Sequence, residues 1–223
     1  YFTSGGTESN NWALIGTALA NQRTGKHIIT TKIEHPAVSA PCEFLESQGF
    51  TVTRLGVDQE GKISLQELEE AITPETILIS VMYVNNEIGT VQSIAEIGEL
   101  IKKKNPKTYF HVDAIQAYGK YRILPKKMKI DMLSASGHKI HGPKGIGFLY
   151  ISDKVKIFPY IYGGGQQKGM RSGTDNVSGA AGLGKAAEIV YRNMEKNVAS
   201  MTELRQYFVK ELEKPGRDPR EDM

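Results

Sequence analysis

Residues 76–82 read TILISVM, a near-continuous apolar run without the in–out alternation of a half-exposed strand. A strand of that kind is buried on both faces, so its sheet needs a covering layer on either side. Five more β-rich runs have strand length: HIITT (27–31), TVTRL (51–55), TYFHV (108–112), DMLSAS (131–136) and IGFLYI (146–151). Around them the periodicity predicts helices over about 8–22, 36–47, 64–72 and 94–104, and one long helix from about 177 to 212. Trp12, Ile15 and Leu19 share a face of the first helix, and Val38, Phe44 and Leu45 are expected to do so in the second. SLQELEEAI opens with Ser64 and places Glu67 three residues on, a capping-box pattern. Strands alternating with helices predict right-handed βαβ units and an α/β fold, a mostly parallel sheet with helices on both faces. The last two strands are too close for a crossover helix, so that corner is expected to be antiparallel.

Composition narrows the class. Among 223 residues, 39% hydrophobic and 24% charged side chains exclude a disordered chain. The formal charge is only +3, and the basic runs KKK (102–104) and PKKMK (125–129) lack interleaved aromatics, so no nucleic acid is expected as partner. No apolar run has membrane-spanning length and no signal peptide is visible, so no membrane association is expected. The single cysteine, Cys42, rules out an internal disulfide and fits a reducing, cytoplasmic setting. No metal site is expected. There is no repeat or internal linker; one domain is expected over 1–213, with 214–223 a polar, frayed tail. The start at Tyr1, directly in YFTSGGTES, reads as cut from something longer.

In open α/β sheets, ligands bind beyond the carboxyl ends of the strands. Those exits carry Glu34 and His35, then Asn85, Asn86 and Glu87, then Asp113 and Gln116, then His138 and Lys139. TSGGTES (3–9) leads into the first helix, so N–H groups near Gly6 and Thr7 can cradle an anion, with Ser4, Thr7 and Ser9 as hydroxyl donors. Plain N-capping is the simpler reading of that segment by itself. A nucleotide loop fails, because Pro143 stands where the phosphate-binding lysine belongs and GIGFLY lacks the third glycine of the dinucleotide fingerprint. A lysine, a carboxylate and a phosphate cradle together suit pyridoxal phosphate, which needs an amine, a partner for its ring nitrogen and an anion site. In that chemistry Lys139 is expected to be buried and its amine partly neutral.

TSGGTESNN, EHPAV, VNNEIGTVQ, HVDAIQAYGK, SGHKIHGPKGIG and GGGQQKGMRSGTDNV, in this order, resemble the cysteine desulfurases, fold-type I pyridoxal phosphate enzymes of the class-V aminotransferase family. The resemblance implies that Lys139 is the Schiff-base lysine and Asp113 the partner of the ring nitrogen. It implies Asn86 and Gln116 near the cofactor hydroxyl or substrate, and His35 stacked on the ring and moving protons. Gly6, Thr7, Ser136 and His138 correspond to phosphate contacts, and Thr174 to a residue reaching the phosphate of a neighbouring subunit, hence a homodimer. The implied reaction converts L-cysteine to L-alanine and passes sulfur, as a persulfide on an enzyme cysteine, to a sulfur-acceptor or iron–sulfur scaffold protein. That cysteine and the substrate-gripping arginine are not expected within this sequence, which would be the large domain cut at both ends. Cys42, on a predicted helix, is expected to be inert packing. A catalytically silent cofactor-binding fragment, or a selenocysteine lyase or aminotransferase, are the other readings. His27, His111 and His141 are expected to be structural, and the glycines 163–165 a turn.

Overall fold

The computed structural model describes residues 1–214. Seven strands form one sheet: β1 (Phe2–Thr3), β2 (His27–Thr31), β3 (Thr51–Leu55), β4 (Thr76–Met82), β5 (Tyr109–Asp113), β6 (Met132–Ser136) and β7 (Gly147–Ile151). Their order is β1-β7-β6-β5-β4-β2-β3. The β2–β3, β2–β4, β4–β5 and β5–β6 pairs are parallel, and β7 runs antiparallel to both β6 and β1. The α/β fold and its antiparallel corner are therefore as the sequence predicts. The expected tail falls almost wholly on residues 215–223, outside the described residues.

Both sheet faces are covered, as TILISVM requires: every residue of β4 is buried. On one face Ile29, Ile79, Val81, Phe110 and Val112 pack with Leu68 of α4 (Leu65–Ala71) and Ile97 and Ile101 of α5 (Ile94–Lys104). On the other, Leu78, Met132 and Leu149 pack with Trp12 and with Val38, Cys42 and Leu45 of α3 (Pro36–Ser47). Ser64 caps α4 by accepting the Glu67 N–H at 3.2 Å, the forward half of the predicted box.

Local register departs from simple periodicity in four places. The first helix comprises α1 (Gly6–Asn11), a π turn over Trp12–Gly16 and α2 (Thr17–Asn21). A π turn inserts a residue and rotates the helix beyond it, so Leu14 is fully buried while Ile15 and Leu19 only pack against the core edge. The turn is tied down from outside: the Trp12 indole N–H donates to Phe158 O at 2.8 Å, and Phe158 N–H to Gly16 O at 3.1 Å. In α3, Phe44 is 46% exposed, because the buried stripe runs through Ala37, Val38, Pro41, Cys42 and Leu45 and leaves it one position off. The long last helix breaks at Asn193, where φ −106° and ψ 10° separate α6 (Val177–Arg192) from α7 (Met194–Leu212). Finally, β1 is too short to carry a period.

Candidate active site

Parallel pairing of β4, β5 and β6 brings their carboxyl ends to one edge. There Gly6, Thr7, His35, Asn86, Asp113, Gln116, Ser136, His138 and Lys139 line a single cleft of about 270 Å³. Thr174 is not among them; it is exposed in the loop before α6.

Asp113, the last residue of β5, forms the buried floor. Its Oδ2 accepts from Asn10 Nδ2 at 2.7 Å and its Oδ1 from Ile115 N–H at 3.0 Å. Burial raises this carboxyl above its ordinary value, opposed by those two donors and the nearby His35. Asn10, which holds Asp113 from α1, is a residue of this cleft floor that reading the strand exits did not find. An asparagine inside a helix, where its side chain competes with the backbone, is the signal that could have found it.

The anion cradle has a definite construction. Gly5, at φ 152°, immediately precedes α1 and offers no side chain, and no side chain caps the helix's first turn. Plain N-capping is thus not what the segment does. Ser9 is turned inward, bonded to Thr3 Oγ1 at 2.7 Å and Gly5 O at 3.1 Å, so it is not a donor to the cleft. A Cβ on Gly6 would lie 2.1 Å from Ile115 Cδ1, and one on Gly147 would lie 2.8 Å from Gly5 Cα. The backbone therefore reaches the cleft edge only because these residues are bare. Beside it, His138 Nδ1 and Ser136 Oγ are 2.9 Å apart. Burial lowers the His138 imidazole, reinforced by the Lys139 and Lys144 charges.

His35 caps the start of α3, whose first residue, Pro36, suits that position. Its Nδ1 accepts the Ala37 N–H at 3.0 Å, which assigns the proton of the neutral ring to Nε2. Lys139 lies on the short 3₁₀ turn Gly137–Ile140 and is exposed, not buried. That turn begins directly after β6, at the open lip of the cleft. Asn86 is also exposed and donates to Glu87 Oε1 at 2.5 Å, whereas Gln116 is half-buried.

The remaining candidates lie apart. His27 bridges Thr76 Oγ1 and Thr53 Oγ1, and His111 bridges Ser80 Oγ and Ser134 Oγ across three strands. His141 ends its turn at φ 62°. Cys42 is fully buried, and burial pushes its thiol up to about 12. Among the described residues no cluster could hold a metal ion, and no helix is long and apolar enough to cross a membrane.

Asp113 has no ion pair among the described residues, which fits a cationic ring nitrogen, and the bare first turn of α1 fits a phosphate. With a lysine in the same cleft, this is the donor set of a pyridoxal phosphate-binding α/β domain. The chain belongs to the class-V aminotransferase family, whose profile matches residues 1–217, and members of that family are pyridoxal phosphate enzymes. It is 53% identical over 213 residues to cysteine desulfurase IscS of Clostridium botulinum, covering 96% of this chain and 53% of that one. It is also 53% identical over 212 residues to cysteine desulfurase IscS of Methanosarcina thermophila, covering 95% and 52%. Among solved structures, a NifS-like protein superposes with TM-score 0.93 at 43% identity, over 95% of this chain and 58% of its own. SspA in complex with cysteine superposes with TM-score 0.80 at 48% identity, over 84% and 54%. The chain spans about half the length of the curated relatives it matches.

Proposed function

We propose that this chain, over about residues 1–213, is the cofactor-binding domain of a cytoplasmic cysteine desulfurase that turns L-cysteine into L-alanine and passes the sulfur on as a persulfide. The observation that carries this reading is the convergence of Lys139, Asp113 and the α1 cradle on one cleft. Lys139 Nζ would hold the cofactor covalently and Asp113 its ring nitrogen. Gly6, Thr7, Ser136 and His138 would hold the phosphate, with Asn86 and Gln116 toward the ring hydroxyl and substrate. When bound, the cofactor supplies a sink for the electrons left at the substrate's α-carbon. The buried Asp113 carboxylate keeps a fixed negative charge on the floor. Lys139 Nζ, at the lip of the same cleft, would take the proton from the substrate's α-carbon. His35, over the cleft, works at Nε2, because Nδ1 is engaged by the Ala37 N–H.

Cys42 cannot receive the sulfur: its thiol is buried and pushed up to about 12, far from a reactive thiolate. It is the single cysteine of the sequence, so the accepting thiol is supplied from outside these residues. For the chain taken by itself, this favours a silent form that binds cofactor without transferring sulfur. Thr174, exposed on its loop, would reach the phosphate of a second copy in a homodimer, and a sulfur-acceptor or iron–sulfur scaffold protein would take the product sulfur.

Adding pyridoxal phosphate, reducing with borohydride and mapping the label by mass spectrometry tests the site. Lys139 should carry the label, and Lys139→Ala should lose both label and visible band; labelling elsewhere would refute the assignment. Supplied with L-cysteine and a thiol reductant, the chain should yield no sulfide. Sulfide release would overturn the silent-fragment reading.

A further inference from the structure

The proposed chemistry leaves one buried acid unused. Glu34 follows β2 and immediately precedes His35, and its carboxyl turns into the protein. Oε1 accepts the Thr31 hydroxyl at 2.8 Å and the Met82 N–H at 2.9 Å. Oε2 is buried with no hydrogen-bond partner, and no cation pairs with Glu34 among the described residues. Met82 is in register with Asp113 on the adjacent strand, so the two acids share one stretch of floor. Ionising both of two neighbouring buried carboxyls is disfavoured, and one is raised by the other. The charge goes to the one whose oxygens are both solvated by donors: Asp113 has Asn10 and Ile115, whereas Glu34 Oε2 has none.

We propose that Glu34 is held as a neutral carboxylic acid and is the positioning residue that leaves the floor's negative charge on Asp113 alone, while its Oε1 ties the His35 segment to the end of β4. Burial pushes its carboxyl up to about 8, with Asp113 adding to the rise and the Met82 and Thr31 donors opposing it. The other titratable groups around it are Cys42 from α3, which it influences in turn, and His35 beside it in sequence; β4 carries none. The link to catalysis rests on the cofactor reading above, whereas the protonation is a property of the cofactor-free chain.

Carboxyl ¹³C NMR titration of the cofactor-free chain, as wild type, Glu34→Gln and Asp113→Asn, tests it. One glutamate should titrate near 8, well above the others. It should vanish in Glu34→Gln and move down in Asp113→Asn, where the neighbouring charge is gone. Titration of Glu34 with the exposed glutamates, or indifference to Asp113→Asn, overturns the proposal. If Glu34→Gln does not fold, the wild-type and Asp113→Asn pair decides. For positioning, Glu34→Ala should weaken pyridoxal phosphate binding about tenfold, as expected for losing one buried hydrogen-bonding group, and Glu34→Gln should restore it. An amide variant as weak as the alanine variant also overturns it. Failure of the wild type to bind cofactor would count against the proposed function, and the titration would still decide the state of Glu34.

Discussion

His111 shows how one buried residue ties the floor together without entering the cleft. It lies two positions before Asp113 on β5, and both ring nitrogens meet serine hydroxyls from the flanking strands. Burial pushes its imidazole down to about 3, so the folded protein holds it neutral. A group whose folded value is depressed lends stability that is fully present above its unfolded value and is lost as pH falls toward the folded one. Here that window runs from about 6.5 down to about 3. His111→Gln, which keeps polar atoms in place but does not titrate, should flatten the acid limb of the stability curve. By the lower edge of the window the gain should be a few kcal/mol relative to its own neutral-pH value. Urea unfolding of both proteins at several pH values measures this, and parallel acid limbs would show that His111 is not the group responsible.

At the scale of elements, the loop before α6 is fastened to α1 by a single ion pair. Arg171 Nε meets Glu8 Oε1 at 2.8 Å and Nη2 meets Oε2 at 3.0 Å, while Glu8 Oε2 also accepts the Ser4 N–H at 2.8 Å. Burial alone would raise the Glu8 carboxyl; the Arg171 and Ser4 bonds outweigh it and hold it below the usual range. The pair is mostly buried, so removing one partner strands the other. Arg171→Ala is expected to cost about 2–3 kcal/mol and to speed tryptic cleavage after the exposed Lys168, and Arg171→Lys should rescue little because the two-pronged geometry is lost. Unchanged cleavage would show that the loop is held by other contacts.

The same elements show what a sequence can reveal. β4, β5 and β6 are each strand-like in their own residues and are followed by polar groups at or just past their ends, so these strands and the residues at their exits were legible one by one. Features created by contacts between distant segments were not. The π turn depends on Phe158, the β1 pairing on β7, and the openness around Lys139 on what does not pack over it. Asn10 and Glu34 were visible as letters, but their meaning lies in a carboxylate far along the chain.

Over the whole molecule, order is unevenly supported. All of β2, β4 and β6 is buried, whereas α7 buries nothing, with Leu204 64%, Tyr207 64% and Phe208 61% exposed. A helix that buries no side chain has little beyond its own propensity to hold it. Amide hydrogen exchange should therefore find α7 nearly unprotected while β4 and β5 open only with global unfolding. Protection of α7 equal to that of β4 would refute this account.

The pairing of β1 with β7 also sets a timetable. The Tyr1 N–H donates to Leu149 O, 148 positions along the chain, and Gly5 rests against Gly147. During synthesis the glycines of the cradle appear early but have nothing to lean on until the β6–β7 corner has been made. Contacts so distant in sequence form slowly and late. The β5 and β6 strand ends and the lysine lip can take shape before them, so the wall beside Gly5, which we propose holds a phosphate, and the Asn10 contact to Asp113 would be completed last.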